Sequence, residues 1–342
     1  MRVGIIGAGA MGRTHARHYS KMDDVSLIVF DIERESAESL RSQAANASVC
    51  NSLDQLLSSV DAVDVCLPTH LHKEVVLTAL EAKLPTLCEK PLARTVAECA
   101  EMVDAAYRHS TLLIPAQVVR FFPEFETAHR VVKSGRLGVI SAIRTRRGGA
   151  QPRGAGEWFR NPDLSGGVLL DLAVHDFDWI LWTFGPVARV FSQALTWSNV
   201  GALDYALTIL TLDSGALAHV EATWADPGGF RVTFEVVGSE ALLEFDSRLK
   251  ATLRTATDPL SLWERVGVRA AESNLAPCDD PYFKQLRAFL KAAMGEAPPA
   301  VRPEEGMAAV AVAEAAIESA CSGRPVAPSR IEPRRTAEAS EI

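Results

Sequence analysis

In the stretch Ser165–Gly185, SGGVLLDLAVHDFDWILWTFG, three titratable side chains recur at i, i+4 and i+7: Asp171, His175 and Asp178. On a helix turning about 100° per residue they fall within roughly 60° of one another. Ala173, Phe177, Ile180 and Phe184 fall on the opposite side. The spacing predicts a helix near Leu170–Phe184 with one buried apolar face and one face presenting a carboxylate, an imidazole and a second carboxylate. Such a face can exchange protons near neutral pH or offer ligands to a metal. Gly166 and Gly167, just before it, would let backbone approach a ligand closely. Far upstream, Glu89-Lys90-Pro91 closes a short apolar run and adds an ammonium group.

A second constellation opens the chain, RVGIIGAGAMGRTHARHY, where Gly7, Gly9 and Gly12 form G-x-G-x-x-G. The first glycine permits a tight turn out of a strand, the second lets backbone approach a pyrophosphate, and the third lets a helix pack close to the strand. The N–H groups around Gly9, Ala10, Met11 and Gly12, with the positive end of that helix, would hold the phosphates. The motif follows a predicted strand and opens a predicted helix, which is the context it needs. Asp31 ends the next apolar run, about twenty residues beyond the glycines, where a carboxylate accepts from the adenosine ribose and repels a 2′-phosphate. NAD is therefore expected over NADP, although Arg34 stands close enough to reach a phosphate and NADP use is not excluded.

Positioning these groups requires a particular scaffold. Val3–Gly7, Leu27–Asp31, Ala62–Leu67, Thr86–Glu89 and Leu112–Ala116 read as buried strands. Helical patterns lie between them: Thr14–Lys21, Glu33–Ala45, Lys73–Ala82 and Val96–His109. Apolar strands alternating with helices mean a doubly wound parallel sheet, the Rossmann arrangement, in which ligands sit at the carboxyl ends of strands. Pro68-Thr69-His70-Leu71-His72 should then border the cofactor, with Thr69 toward the nicotinamide ribose. His72 and Glu89 are candidates for the same border, against a structural reading for both His70 and His72 as part of a helix start.

After about Gln117 the pattern changes. A helix over Glu124–Lys133, a strand over Val139–Arg147 and a Gly/Pro-rich loop over Gly148–Gly156 precede the Asp171 segment. From Arg189 to Phe245 the chain reads as successive antiparallel strands, with turns at Asp213–Gly215, Pro227–Gly229 and Gly238-Ser239. Helices over Tyr282–Met294 and Glu304–Cys321 follow. The expected organisation is a dinucleotide-binding domain over 1–120, an α+β substrate-binding and oligomerisation domain with a large, mostly antiparallel sheet over 121–330, and a flexible tail over 331–342.

Composition excludes several classes. The 342 residues are 48% hydrophobic and 23% charged, with net charge −8, which argues against nucleic acid or an acidic membrane surface as main partner. No apolar run reaches the roughly 18 residues of a membrane span, and no signal peptide is expected. Six scattered cysteines without a C-x-x-C pair argue against a zinc site or disulfide framework, so the expected location is the cytoplasm.

The glycine motif, the Glu-Lys-Pro triplet and Gly-Gly-x-x-x-Asp-x-x-x-His-x-x-Asp, in that order, resemble the signatures of the Gfo/Idh/MocA oxidoreductases. The resemblance extends over nearly the whole chain, including Arg120-Phe121, Trp158 and Ser322-Gly323. Val168 and Ala173 stand where many members have glycine. The resemblance implies a catalytic group of Lys90, Asp171 and His175 and a polyol, cyclitol or sugar substrate. Oxidising a secondary alcohol sends a hydride to the cofactor and a proton to a base. His175 suits the base. Asp171 would orient substrate or support the imidazolium, and Lys90, near the nicotinamide, would stabilise developing alkoxide. This chemistry needs no metal. Gln117, Arg120 and Trp158 are expected on the substrate side, and the run Arg144, Arg146, Arg147, Arg153 could meet an anion, a solvent face or a second subunit. Thr208–Leu212 and Ala216–Trp224 place apolar residues on both faces, predicting a homodimer or homotetramer through the second sheet. The rival readings are an NAD-dependent glycosidase of the same fold, a reductase of another carbonyl or imine, and an NAD-binding sensor without turnover.

Overall fold

The computed structural model of the chain describes residues 1–152, 154–196, 204–249, 253–256 and 279–332. The first 116 residues build six strands: β1 (Arg2–Ile6), β2 (Ser26–Phe30), β3 (Ala47–Val49), β4 (Ala62–Val65), β5 (Thr86–Glu89) and β6 (Leu113–Ala116). Helices α1 (Ala10–Tyr19), α2 (Arg34–Arg41), α3 (Leu53–Leu57), α4 (His72–Glu81) and α5 (Val96–Arg108) connect them. All pairings are parallel, in the order β3-β2-β1-β4-β5-β6. β4, β5 and β6 are buried at every residue because helices cover both faces. The sheet grows outward in both directions from β1 and β4, so their carboxyl ends open the crevice where such sheets hold ligands. β3, three residues long, carries too little pattern to be read as a strand.

The second part contains α6 (Pro123–Lys133), β7 (Ile140–Gly148), α7 (Pro162–Ser165), α8 (Gly167–Asp171), α9 (Val174–Phe184), β8 (Val187–Leu195), β9 (Tyr205–Leu212), β10 (Leu217–Thr223), β11 (Arg231–Gly238), β12 (Leu242–Asp246) and β13 (Leu253–Ala256). Their seven-stranded sheet runs β13-β12-β11-β7-β10-β9-β8 and is antiparallel except where β7 pairs with β10. Of the three expected turns, Asp213–Gly215 and Gly238-Ser239 join paired strands. Pro227–Gly229 does not, because β7 lies between β10 and β11.

Along β9, Ala206, Thr208, Leu210 and Leu212 face the core while the residues between them face out. The outer face is more polar than expected. Leu207 and Leu217 are exposed there, but Arg144 pairs with Glu235, Arg146 with Glu221 and Asp226, and Arg231 with Asp246. Arg144 and Arg146 are thus tied to carboxylates on the same sheet, whereas Arg147, one residue on, points inward; Arg153 lies outside the described residues.

Two C-terminal helices bind the halves together. α10 (Pro281–Ala293) packs on α1, and its Leu286, Phe289 and Leu290 join the core beneath β1 and β2. α11 (Pro303–Ser322) packs against β8, α9 and α5. Among the described residues no helix is long and apolar enough to cross a membrane. Of the expected tail 331–342, only Ile331 and Glu332 are described; 333–342 lie outside the described residues.

Candidate active site

The glycine loop turns where Gly7 adopts φ +101°, a conformation costly for any residue with a Cβ. Gly12 has a different reason: a Cβ there would lie 2.0 Å from the Gly7 carbonyl oxygen. Gly9 begins α1 with no side-chain cap, no acidic residue occupies the first turn, and the space a Gly9 side chain would fill is open. The first-turn N–H groups have no intrahelical acceptor, so Ala10, Met11 and Gly12 leave an anion site. Asp31 flanks it, accepting from Ala8 N–H at 2.6 Å and from Glu33 N–H at 2.8 Å, so its position is held by the loop it serves. Arg34 is occupied elsewhere: its guanidinium donates to Asn51 and to Glu38. These features fit an adenine dinucleotide whose ribose hydroxyls lie at Asp31. Thr69, buried at the end of the β4 loop, is on the same edge of the sheet.

At the end of β5 the Lys90–Pro91 peptide is cis. The following turn is held by a capping box at α5, in which Thr95 Oγ1 accepts from Glu98 N–H and Glu98 accepts from Thr95 N–H. Lys90 Nζ reaches across to the second part and donates to the Asp171 carbonyl (2.7 Å) and to Asp171 Oδ1 (3.1 Å). The carbonyl is available because the predicted single helix is two. α8 ends at Asp171, α9 starts at Val174, and His175 N–H donates to Leu172 O (3.4 Å). A helix end leaves carbonyls without helical donors, and Lys90 takes one of them.

His175 is partly exposed at the start of α9, and its Nδ1 is buried without a hydrogen-bond partner among the described residues. Burial, and then the nearby cations of Lys90 and Arg147, hold its pKa well below the usual imidazole range. The ring is therefore neutral at neutral pH and able to accept a proton. Arg147 is itself fixed by a buried ion pair with Asp176 at 2.7 Å.

The break also decides where Asp178 goes. A continuous helical face does not run from residue 171 to 178, and Asp178 is buried in a two-pronged pair with Arg120 at 2.7 and 2.8 Å. Arg120 also contacts Glu305 at 3.2 Å and lies over the Trp182 ring. The expectation that Arg120 faces substrate is thus corrected, because its guanidinium is consumed by two carboxylates. A metal held by Asp171, His175 and Asp178 together is excluded by the same pair. α9 is buried on nearly all sides rather than one, with Trp179, Asp176 and Asp178 inside as well as Phe177 and Ile180.

Other expected positions divide. His72 is fully buried, its ring nitrogens 2.9 Å from Pro91 O and 2.8 Å from Leu67 O. It ties the β4 loop to the Glu-Lys-Pro turn and does not face a cofactor, so its cofactor-binding assignment is corrected to the structural one. Glu89 is also buried: one oxygen faces His15 Nε2 at 3.2 Å and the other accepts from Lys90 N–H at 3.0 Å. Gln117, 1% exposed, has both amide atoms buried and unpartnered among the described residues. Trp158 is half-buried, stacked on Phe159 at 3.9 Å and tilted against His70 at 6.1 Å, at the seam between the parts. Gly166 has φ +74°, and a Cβ there would strike Leu170 and Arg94, so packing accounts for this glycine without a ligand. Val168 and Ala173 are buried in the core.

His15 and Asp64 were not anticipated, and Arg147 was expected only as part of a basic run, not paired with Asp176 beside His175. His15 lies three residues past Gly12, on the face of α1 turned to the sheet, which is the only signal the chain offers for it. His15, Asp64 and Cys66 bring ligand-type atoms within 4.8 Å, but these atoms are hydrogen-bonded to one another.

The chain is also similar to known proteins. Residues 1–117 match the family described as oxidoreductase family, NAD-binding Rossmann fold, and residues 125–254 match the GFO/IDH/MocA C-terminal domain. The chain is 31% identical over 338 residues to the myo-inositol dehydrogenase Hyg17 of Streptomyces leeuwenhoekii, covering 96% of this chain and 100% of that protein. It is 29% identical over 329 residues to a myo-inositol 2-dehydrogenase of Thermotoga maritima, covering 93% and 96%. The crystal structure of GenD2 from gentamicin A biosynthesis in complex with NAD superposes with a TM-score of 0.84 at 25% identity, over 96% of this chain and 97% of that one.

Proposed function

The chain belongs to the Gfo/Idh/MocA oxidoreductases, NAD-dependent enzymes acting here on CH–OH groups of sugars or polyols, and within that activity we propose that Lys90, Asp171 and His175 carry the reaction. The observation that supports the assignment is the Lys90–Asp171 pair beside a neutral His175, where the end of β5 meets the break between α8 and α9. An ammonium has three protons. Two are directed at the Asp171 carbonyl and carboxylate, so the third is left for the alcohol oxygen. As the C–H bond breaks, negative charge grows on that oxygen, and Lys90 stabilises it. His175 takes the hydroxyl proton, and Asp171 keeps a second carboxylate oxygen for a neighbouring substrate hydroxyl. When bound, NAD supplies the hydride acceptor.

Asp31, with Arg34 held by Asn51 and Glu38, supports NAD over NADP. Myo-inositol and related cyclitols are the first substrates to test, since two similar proteins bear that name. Trp158, with Gln117 beyond β6, closes the substrate side. We assign the dinucleotide to residues 1–120 and the substrate and self-association to 121–330, with copies joined into a dimer or tetramer through the outer face of the seven-stranded sheet, where Leu207 and Leu217 stand exposed among the ion pairs. Five described cysteines are free, four of them buried, which suits a reducing cytoplasm. The test is a spectrophotometric screen of NAD and NADP reduction across cyclitols, aldoses and sugar acids. NADH formation with a cyclitol or sugar is expected; release of sugar from an aryl glycoside without NADH accumulation would replace this reading with the glycosidase one. Sedimentation as a monomer at micromolar concentration would refute the self-association.

A further inference from the structure

Beneath the glycine loop lies a buried imidazole between two carboxylates that the reaction as described does not use. His15, on α1, is completely buried between two carboxylates: Nδ1 is hydrogen-bonded to Asp64 Oδ2 at 2.8 Å, and Nε2 lies at ion-pair distance, 3.2 Å, from Glu89 Oε1, neither of those two atoms having another partner among the described residues. Asp64 is equally buried, in the middle of β4, and Glu89 nearly so at the end of β5. The second Glu89 oxygen accepts the N–H of Lys90. The signs alternate along this row, from Asp64 through His15 and Glu89 to Lys90 and Asp171. A neutral imidazole has one N–H, so it could satisfy only one of its two carboxylates and would turn a lone pair on the other. A buried carboxylate oxygen facing a lone pair is costly even where its other oxygen has a donor, so the site favours the doubly protonated ring. Burial opposes that charge, but Asp64 and the neighbouring Cys66 thiol outweigh it and raise the His15 pKa.

We propose that His15 is a positioning residue: as an imidazolium it clamps Glu89, which in turn fixes the backbone of Lys90 relative to the helix that binds the dinucleotide phosphates. The geometry links two requirements of hydride transfer. The pyrophosphate site is the first turn of α1, and His15 sits in the next turn of the same helix. The position of α1 is therefore coupled through His15 and Glu89 to the backbone of the lysine whose ammonium must meet the reacting oxygen. Misplacement by about 1 Å can cost on the order of 10²-fold in rate. Cys66, with its thiol pressed against Asp64 Oδ1 (3.4 Å) and His15 (3.4 Å), completes the lining. Tyr282 of α10 covers the cluster, its ring 6.1 Å from that of His15.

The inference rests on Lys90 acting in catalysis, so Lys90→Met is the control. His15→Gln, Glu89→Gln and the double variant are compared at saturating NAD with the substrate selected by the screen above. His15→Gln is expected to lower kcat by roughly 10–100-fold while NAD affinity, measured by fluorescence titration, stays within about threefold. Because both residues act along one path, the double variant should be no slower than the slower single variant. Independently of turnover, ¹⁵N-histidine NMR of the wild type should show both ring nitrogens of His15 protonated at neutral pH. Unchanged kcat in folded His15→Gln would overturn the proposal, as would a loss confined to NAD affinity or a neutral His15 ring. If His15→Gln does not fold, Glu89→Gln decides, and an unchanged kcat there overturns it. If Lys90→Met is itself fully active, the assignment of Lys90 has failed; if Lys90→Met is inactive while His15→Gln is normal, only the clamp has failed.

Discussion

Replacing Lys90 with Met removes a cation and keeps most of the side-chain volume. In the native protein Nζ makes two hydrogen bonds to Asp171 and has one proton left for the substrate oxygen. Loss of one donor at a developing oxyanion costs about 2.7–4 kcal/mol, or roughly 10²–10³ in kcat. A second effect has a definite sign. His175 must be neutral to act, so activity falls as pH drops through its pKa. Burial, Lys90 and Arg147 hold that pKa down, which puts the wild-type acid limb below the usual imidazole range near 6.5. Removing Lys90 takes away one of the two cations and leaves burial and Arg147. The acid limb of Lys90→Met should therefore move to higher pH without passing the ordinary value. The assay is initial-rate NADH formation at saturating NAD between about pH 5 and pH 9, scaled to each variant's own plateau. A plateau within a few-fold of wild type, or an acid limb that stays put or moves down, would refute the reasoning.

Three further outcomes follow from the same geometry. His175→Ala should lower kcat by about 10²–10⁴-fold and leave NAD binding intact, as measured by titration against rate. Arg120→Ala should act on stability instead of turnover: it strands the buried Asp178 carboxylate, at a cost of about 3–5 kcal/mol read from urea unfolding, with the KM of the folded fraction unchanged. Asp31→Ser should weaken NAD by about 1.5–3 kcal/mol through lost charge-assisted hydrogen bonds, and should narrow the preference against NADP, both visible in the ratio of kcat/KM for the two cofactors.

The readable parts of the site were those built from neighbouring residues. Gly7, Gly9 and Gly12 belong to one strand–turn–helix, so their roles follow from local backbone geometry. Lys90 at a strand end and the Asp171/His175 pair were likewise marked by short motifs. What misled was the extension of helical periodicity to Asp178. Leu172 and Ala173 interrupt the helix with no proline or glycine to announce it, and the residue count from 171 to 178 no longer measures an angle. Arg120 was placed by its position after β6, which locates the backbone but not the direction of a long side chain. The charged outer face of the second sheet was read as apolar because cross-strand partners such as Arg144 and Glu235 lie 91 residues apart.

The strand–helix alternation of the first part, the anion-binding helix start and the presence of an ammonium, a carboxylate and an imidazole were determined by the chain alone, since each depends on residue type and pattern within a short stretch. Which carboxylate meets which cation was decided only by folding. Lys90 pairs with Asp171, Arg120 with Asp178, Arg147 with Asp176 and His15 with both Asp64 and Glu89. Charges that leave water must find partners, and those partners are supplied by whichever elements the sheets and helices bring alongside, not by neighbours along the chain.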